Sequence, residues 1–260
     1  MTILISNDDG IESRGIHLLA QAVRDLGDVF VVAPHRERST AGHSLTLHKP
    51  LRLKKVGDNT YAASGSPADC IYLGIRQILG RNPDFILSGI NAGANLGTDV
   101  HYSGTVAAAR EGALMNIKSY AFSLVESPHE HAKNPGAGLH FEVAAQAARQ
   151  VLLATKDLEF PKHTLLNVNL PNREALSQVG PIEISRQGMR YYTNDVTRRT
   201  DPRGKDYYWI GGAYSGFEQD PLSDCAALEE GKIAITPITI DCTHNAFYAT
   251  LRARFESQPK

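Results

Sequence analysis

Short apolar runs alternate with apolar positions at helical spacing through the first two thirds of this chain, and that alternation narrows the fold more than any other feature. Residues 2–6, 29–33, 84–90, 120–125 and 165–170 are too short for typical helices. Their near-continuous apolar, β-branched character is that of strands buried on both faces. Between them, Ile16, Leu19, Ala20, Val23 and Leu26 fall on one helical face, with Gly27 as a stop. Ser66-Pro67-Ala68-Asp69 reads as a helix start, with a capping serine, a first-turn proline and an S-x-x-D box, and that helix runs to about Leu79. Residues 105–115 form an alanine-rich helix, and Phe141, Ala144, Ala145, Ala148, Val151 and Leu152 mark another. Residues 45–56 read as extended, a hairpin arm leaving the sheet. The order predicts an α/β fold: a mostly parallel sheet with helices on both faces.

The last third changes character. Residues 182–185, 207–210 and 233–240 read as strands, separated by turn-rich and charged segments. The stretch from Tyr191 to Arg203 carries three threonines and an Arg-Arg pair and ends in the turn signal Asp201-Pro202-Arg203-Gly204. The expectation is a core over residues 1–175 and a β-rich extension over 176–260, an oligomerisation arm that returns to the core. Exposed strand edges need partners, so a homodimer or homotetramer is expected.

Charge and composition exclude several classes. The formal net charge is −1, which gives no overall electrostatic footprint for a nucleic-acid polymer. No stretch approaches the roughly 20 apolar residues of a membrane span, and no membrane partner is expected. The first residues enter a strand directly, without a basic leader or signal-length apolar run. Cys70, Cys225 and Cys242 are scattered and odd in number, against a disulfide framework or cysteine metal site and for reduced thiols. The expected location is cytoplasmic.

Ligands of open α/β sheets bind beyond the carboxyl ends of the strands. There the sequence places Asn7-Asp8-Asp9-Gly10, the loop from Pro34 to Gly42 with Ser39, and the loop from Ser88 to Gly97 with Asn91. Adjacent carboxylates at a strand end repel and are costly to desolvate unless a cation sits between them. A hard divalent ion such as Mg²⁺ or Mn²⁺ takes oxygen ligands, and Ser39 and Asn91 end the neighbouring strands with oxygen-bearing side chains. Asp-Asp-Gly is also a common turn, and Asn-Ala-Gly another. Tyr102-Ser103-Gly104-Thr105 opens the alanine-rich helix, where hydroxyls and unpaired N–H groups suit a phosphate, or simply cap the helix. Signatures for dinucleotides, P-loops, zinc peptidases and α/β-hydrolases are missing. His129-x-His131 sits in a Pro/Gly-bounded loop and reads as solvent-exposed.

Ile5-Ser6-Asn7-Asp8-Asp9-Gly10, Val32-Ala33-Pro34 with Arg38-Ser39, Gly65-Ser66-Pro67-Ala68-Asp69-Cys70, Ser88-Gly89-Ile90-Asn91-x-Gly93-x-Asn95 and Tyr102 to Gly112 together resemble the signature blocks of the survival protein E family of nucleotidases, in the family's order. The resemblance implies a Rossmann-like core and hydrolysis of nucleoside 5′- and 3′-monophosphates, with one divalent metal ion per subunit. It implies Asp8, Asp9, Ser39 and Asn91 as metal ligands, Asp8 and Asp9 as the catalytic pair, and Asn95, Ser103, Gly104 and Thr105 as the phosphate site. Asp241 and His244 are the nearest counterparts of a family Asp and His linked to the active site or to subunit contacts. The expected partner is a small nucleotide. Two rival readings use the same pocket: a non-catalytic nucleotide or phosphometabolite sensor, and a metal-dependent sugar-nucleotide transferase, which would usually show a D-x-D element missing here.

Overall fold

A computed structural model of the chain describes residues 1–39, 42–126 and 138–256; His129 and His131 lie outside the described residues. The strands are β1 (Thr2–Ser6), β2 (Asp28–Pro34), β3 (Leu53–Gly57), β4 (Thr60–Ala63), β5 (Phe85–Ala92), β6 (Lys118–Val125), β7 (Thr164–Pro171), β8 (Ile182–Ile184), β9 (Arg190–Tyr192), β10 (Val196–Thr200), β11 (Asp206–Ile210), β12 (Tyr214–Phe217) and β13 (Ile233–Thr239). The α-helices are α1 (Arg14–Ala22), α2 (Pro67–Leu73), α3 (Gly104–Leu114), α4 (Phe141–Thr155), α5 (Asp224–Glu229) and α6 (Asn245–Glu256).

One sheet runs β3-β4-β2-β1-β5-β6-β7-β13-β8. From β4 through β7 every neighbouring pair is parallel, while β3 and β13 run antiparallel to their inner neighbours. Alternation along β1 sorts its side chains between two cores. Ile3 and Ile5 join Ile16 and Leu19 of α1 and Ala144 and Val151 of α4 on one face. Leu4 joins Ile71 of α2 and Ala108 of α3 on the other. The mostly parallel sheet with helices on both faces is therefore as the apolar pattern requires.

Local chemistry sets the helix that borders β2. Ser66 Oγ accepts the Asp69 N–H (3.1 Å) and the Asp69 carboxylate accepts the Ser66 N–H (2.8 Å), completing the capping box. Beyond α2 the chain widens into a π-type turn over Gly74–Leu79.

Three elements differ from the sequence expectation. The extended segment does not leave the sheet: β3 and β4 form a hairpin, and β4 pairs parallel with β2, so it makes the sheet edge. Val196–Thr200, within the stretch read as turn-rich, is a strand paired with β11. Residues 245–256, which drew no reading from the sequence, form α6, a helix none of whose residues is buried. Its apolar residues have no core to mark them against. No helix among the described residues is long and apolar enough to cross a membrane.

Candidate active site

The end of β1 is turned by a side chain. Asn7 Oδ1 accepts the Gly10 N–H (3.2 Å), while Asn7 Nδ2 donates to Gly10 O (3.0 Å) and Ser13 Oγ (2.7 Å). This Asx-type turn leaves Asp8 and Asp9 at the carboxyl edge of the sheet. Gly10 has φ +99°, and a Cβ there would stand 3.1 Å from the carbonyl carbon of Arg36. The loops after β1 and β2 are thus pressed together, and backbone bonds join them: Arg38 N–H to Asp8 O (2.7 Å) and Ile11 N–H to Pro34 O (2.8 Å). Ser39 follows Arg38 and donates from Oγ to Glu37 Oε1 (2.5 Å).

The third loop arrives from β5, whose register with β6 shifts between Ser88 and Asn91. Such a bulge re-aims the strand end. Asn91 Nδ2 donates to Gly93 O (2.9 Å), which leaves Oδ1 as the side chain's free acceptor among the described residues. Next to it, the Ala92 N–H points at Asp9 Oδ2 (3.4 Å).

The fourth contribution is the start of α3. The Thr105 hydroxyl donates to Asp8 Oδ1, and the Gly104 and Thr105 N–H groups also favour the Asp8 carboxylate. A Cβ at Gly104 would lie 2.7 Å from Asp8 Cβ and 2.8 Å from Asp8 Oδ2, so glycine is what lets the helix end reach this carboxylate. Ser103 is buried and caps α3, its Oγ accepting the Val106 N–H (3.0 Å). That bond leaves the hydroxyl proton available to a ligand.

Neither aspartate has a Lys, Arg or His partner among the described residues. Burial pushes the Asp8 carboxyl up, against the Thr105 hydroxyl, which holds it down. Asp9 is pushed up to about 6, first by burial and then by the neighbouring charges of Asp8 and Glu37. The pair is therefore an uncompensated negative site. Two carboxylates, a serine hydroxyl and an asparagine amide oxygen fit a hard oxygen-seeking cation. Among the described residues no group of three or more His, Cys, Asp or Glu could hold a metal, so a site built from those side chains alone is not formed.

Asn95 sits deeper than the sequence suggests. Its N–H donates to Asn169 Oδ1 (3.0 Å), its Nδ2 to Ser123 Oγ (2.8 Å), and its carbonyl accepts from Asn167 Nδ2 (2.7 Å) and Asn169 Nδ2 (3.0 Å). Sequence reasoning missed Asn167 and Asn169, although two asparagines at alternate positions of an apolar strand share one face and need polar partners. It also missed His43, whose Nε2 lies 2.8 Å from Oε2 of the buried Glu111, tying the loop after Ser39 to α3. Asp241 and His244 are exposed and their bonds are local: Asp241 Oδ1 accepts the Thr243 N–H (2.9 Å) and His244 Nδ1 the Phe247 N–H (3.1 Å).

Against known proteins, residues 3–194 match the family described as Survival protein SurE. The chain belongs to the SurE family. It is 43% identical over 252 residues to a protein of Geobacter metallireducens, covering 97% of this chain and 96% of that one. It is 45% identical over 253 residues to one of Geobacter sulfurreducens (97% and 93%) and 44% identical over 246 residues to one of Vibrio cholerae (94% and 93%). Each of these is named 5′-nucleotidase SurE. The crystal structure of the SurE protein from Aquifex aeolicus superposes with a TM-score of 0.84 at 38% identity, covering 97% of this chain and 99% of that one. The superposition spans nearly the whole of this chain, its parallel sheet and its trailing hairpins included.

Proposed function

We propose that this chain is a metal-dependent 5′-nucleotidase that also accepts 3′-monophosphates. The observation that carries the reading is the Asp8–Asp9 pair: two desolvated carboxylates without a countercharge, set against the N-terminus of α3. The names of the relatives supply the substrate class. Asp8 and Asp9 would hold a Mg²⁺ or Mn²⁺ ion, with Asn91 and Ser39 as further oxygen donors. The ion, when bound, supplies neutralisation of phosphate charge and a water of lowered pKa.

The chain's own groups do the rest. Thr105 and the first N–H groups of α3 fix the Asp8 carboxylate, so its oxygens are set before substrate arrives. The Ser103 hydroxyl and the positive end of α3 face the phosphate and favour charge that grows on its oxygens during reaction. Asn95, locked by Asn167, Asn169 and Ser123, is a fixed rather than adaptable side of the site. Asp9, the more exposed carboxylate of the pair, is the one that solvent water reaches.

The same reading assigns assembly to the exposed apolar surface outside the main sheet. The β10–β11 hairpin exposes Tyr207, Tyr208, Trp209 and Ile210, the last at 89%, and α6 exposes Phe247, Tyr248, Leu251 and Phe255. Apolar surface of this kind marks association sites, and a second copy of the chain is its occupant in a homodimer or homotetramer.

The test is a phosphate-release screen over nucleoside 5′- and 3′-monophosphates with Mg²⁺, Mn²⁺, Zn²⁺ and EDTA. Release that EDTA abolishes and Mg²⁺ or Mn²⁺ restores is expected. Nucleotide binding without phosphate release would make the protein a sensor, and full activity at metal contents near zero would refute the metal assignment.

A further inference from the structure

Between Asn95 and Ser103 runs a short 3₁₀ turn, Gly97–His101, and residues from beyond the α/β core grip it along its length. Asp224, fully buried at the start of α5, accepts the Gly97 N–H through Oδ2 (2.8 Å) and the Gly188 N–H through Oδ1 (2.9 Å). Gln187 Nε2 donates to Gly97 O (3.1 Å). Arg190 Nη1 and the Tyr192 hydroxyl both donate to Asp99 Oδ2, each at 2.5 Å. The Arg190 guanidinium lies 4.4 Å from the ring centroid of Tyr214 and 5.5 Å from that of Tyr192.

The grip continues into the phosphate end of the site. The Asp99 backbone carbonyl accepts the N–H groups of Tyr102 (2.9 Å) and Ser103 (3.1 Å), and Ser103 Oγ caps α3. An unbroken series of bonds therefore links β9 to the residue that opens the helix above Asp8. Charge-assisted bonds to a carboxylate are about twice as strong as neutral ones. A guanidinium stacked on two rings has little freedom left.

We infer that Asp99, Arg190 and Tyr192 are positioning residues for phosphate, so that the β9–β12 ribbon is part of the catalytic unit of its own chain. The inference rests on the phosphate site proposed above. Without the bonds of Arg190 and Tyr192 to Asp99, the turn keeps its buried Val100 and its hold on Gly97 through Asp224 and Gln187. Asp99 and the Ser103 N–H that it accepts lose their anchor, and a displacement of about 1 Å near a reacting group costs on the order of a hundredfold in rate. None of the three residues touches substrate; each acts through the placement of Ser103.

The experiment compares wild type with Asp99→Asn, Tyr192→Phe, Arg190→Met, Arg190→Lys and the Asp99→Asn/Arg190→Met double variant. It reads kcat and KM for a nucleoside 5′-monophosphate, the inhibition constant of inorganic phosphate, the Tm and the assembled mass. Asp99→Asn and Arg190→Met should raise KM and the phosphate constant about tenfold and lower kcat/KM by about thirtyfold to a hundredfold. Tyr192→Phe should move the same constants in the same direction by less. Arg190→Lys should recover only part, because an ammonium cannot stack on two rings and reach Asp99 with the same fork. The double variant should be no worse than the worse single one, since the residues form one series. Variants that melt and assemble like wild type with KM and phosphate inhibition unchanged would overturn the inference, as would additive losses in the double variant. Asp99→Asn and Tyr192→Phe keep the side-chain shapes and give the reading even if Arg190→Met does not fold. Should wild type release no phosphate, calorimetry of inorganic phosphate binding still decides: weaker binding to Asp99→Asn supports the inference, and equal binding overturns it.

Discussion

Replacing Asp9 by asparagine should stabilise the metal-free protein at neutral pH while removing its response to metal. Asp9 is held at about 6 in the folded chain, raised from its ordinary 3.8 by burial and by the charge of Asp8. A carboxyl whose folded pKa is raised favours the folded state fully below its unfolded value and loses that contribution as pH rises through the folded value. Above pH 6 the metal-free fold therefore carries a penalty that fades as pH falls toward 3.8. The gap corresponds to about 3 kcal/mol if fully expressed. Asp9 is partly exposed, and solvent screening brings this to about 1–2 kcal/mol. Asp9→Asn removes the ionisation and keeps the shape, so its Tm in EDTA at pH 7.5 should exceed that of wild type by about 2–6 °C. The difference should narrow as the pH is lowered and close below about 3.8. Excess Mg²⁺ or Mn²⁺ should raise the wild-type Tm, because a ligand bound only to the folded state stabilises it, and should leave the variant almost unmoved. Scanning calorimetry on both proteins, with and without metal, measures all of this. A variant less stable than wild type in EDTA at pH 7.5, or a difference that does not change with pH, would refute the argument that the pair is an uncompensated charge awaiting a cation.

Gly104→Ala, harmless at most helix starts, should cost about 1–3 kcal/mol and most of the activity, because its Cβ would lie 2.7 Å from Asp8 Cβ; melting curves and kcat/KM together check it. Thr105→Val withdraws the hydroxyl that holds the Asp8 carboxyl down, so the acid limb of the kcat/KM profile should move to higher pH; Ser103→Ala should leave that limb in place. Removing the Ser66 hydroxyl by Ser66→Ala should cost about 0.5–2 kcal/mol in denaturant titrations, the usual loss for a helix cap. Trp209→Ser with Ile210→Lys should lower the assembled mass in light scattering without changing the phosphate inhibition constant, and an unchanged mass would remove the hairpin from the interface.

What the sequence revealed follows from how far each feature's cause extends along the chain. Residues 2–6, 31–33 and 85–90 are buried on both faces, so their apolar composition alone marks them as inner strands. Parallel neighbours bring the loops that carry Asp8, Ser39 and Asn91 to the same edge of the sheet. By contrast, β4 is four residues of Thr, Tyr and two alanines, legible only once β2 offers it an edge. The helix α6 buries nothing, so no apolar stripe against a core identifies it.

The hardest features to read are those in which a residue's meaning lies in a partner far along the chain. Thr105 read as a donor for phosphate because hydroxyls at helix starts serve anions. In the fold the nearest anion is Asp8, ninety-seven residues away, and the hydroxyl is bonded to it. Arg190 read as part of a charged, turn-rich segment, yet its guanidinium lies over the rings of Tyr192 and Tyr214 and is bonded to Asp99. Asp224, the first residue of α5, drew no reading from the sequence, yet it is fully buried with both oxygens bonded to backbone N–H groups of two other loops. A buried carboxylate is costly unless its charge is met by donors, and here those donors are Gly97, in the loop before the proposed phosphate site, and Gly188, in the β-rich extension. That burial makes the extension and the site interdependent, a coupling no periodicity or motif could express because neither segment contains it alone.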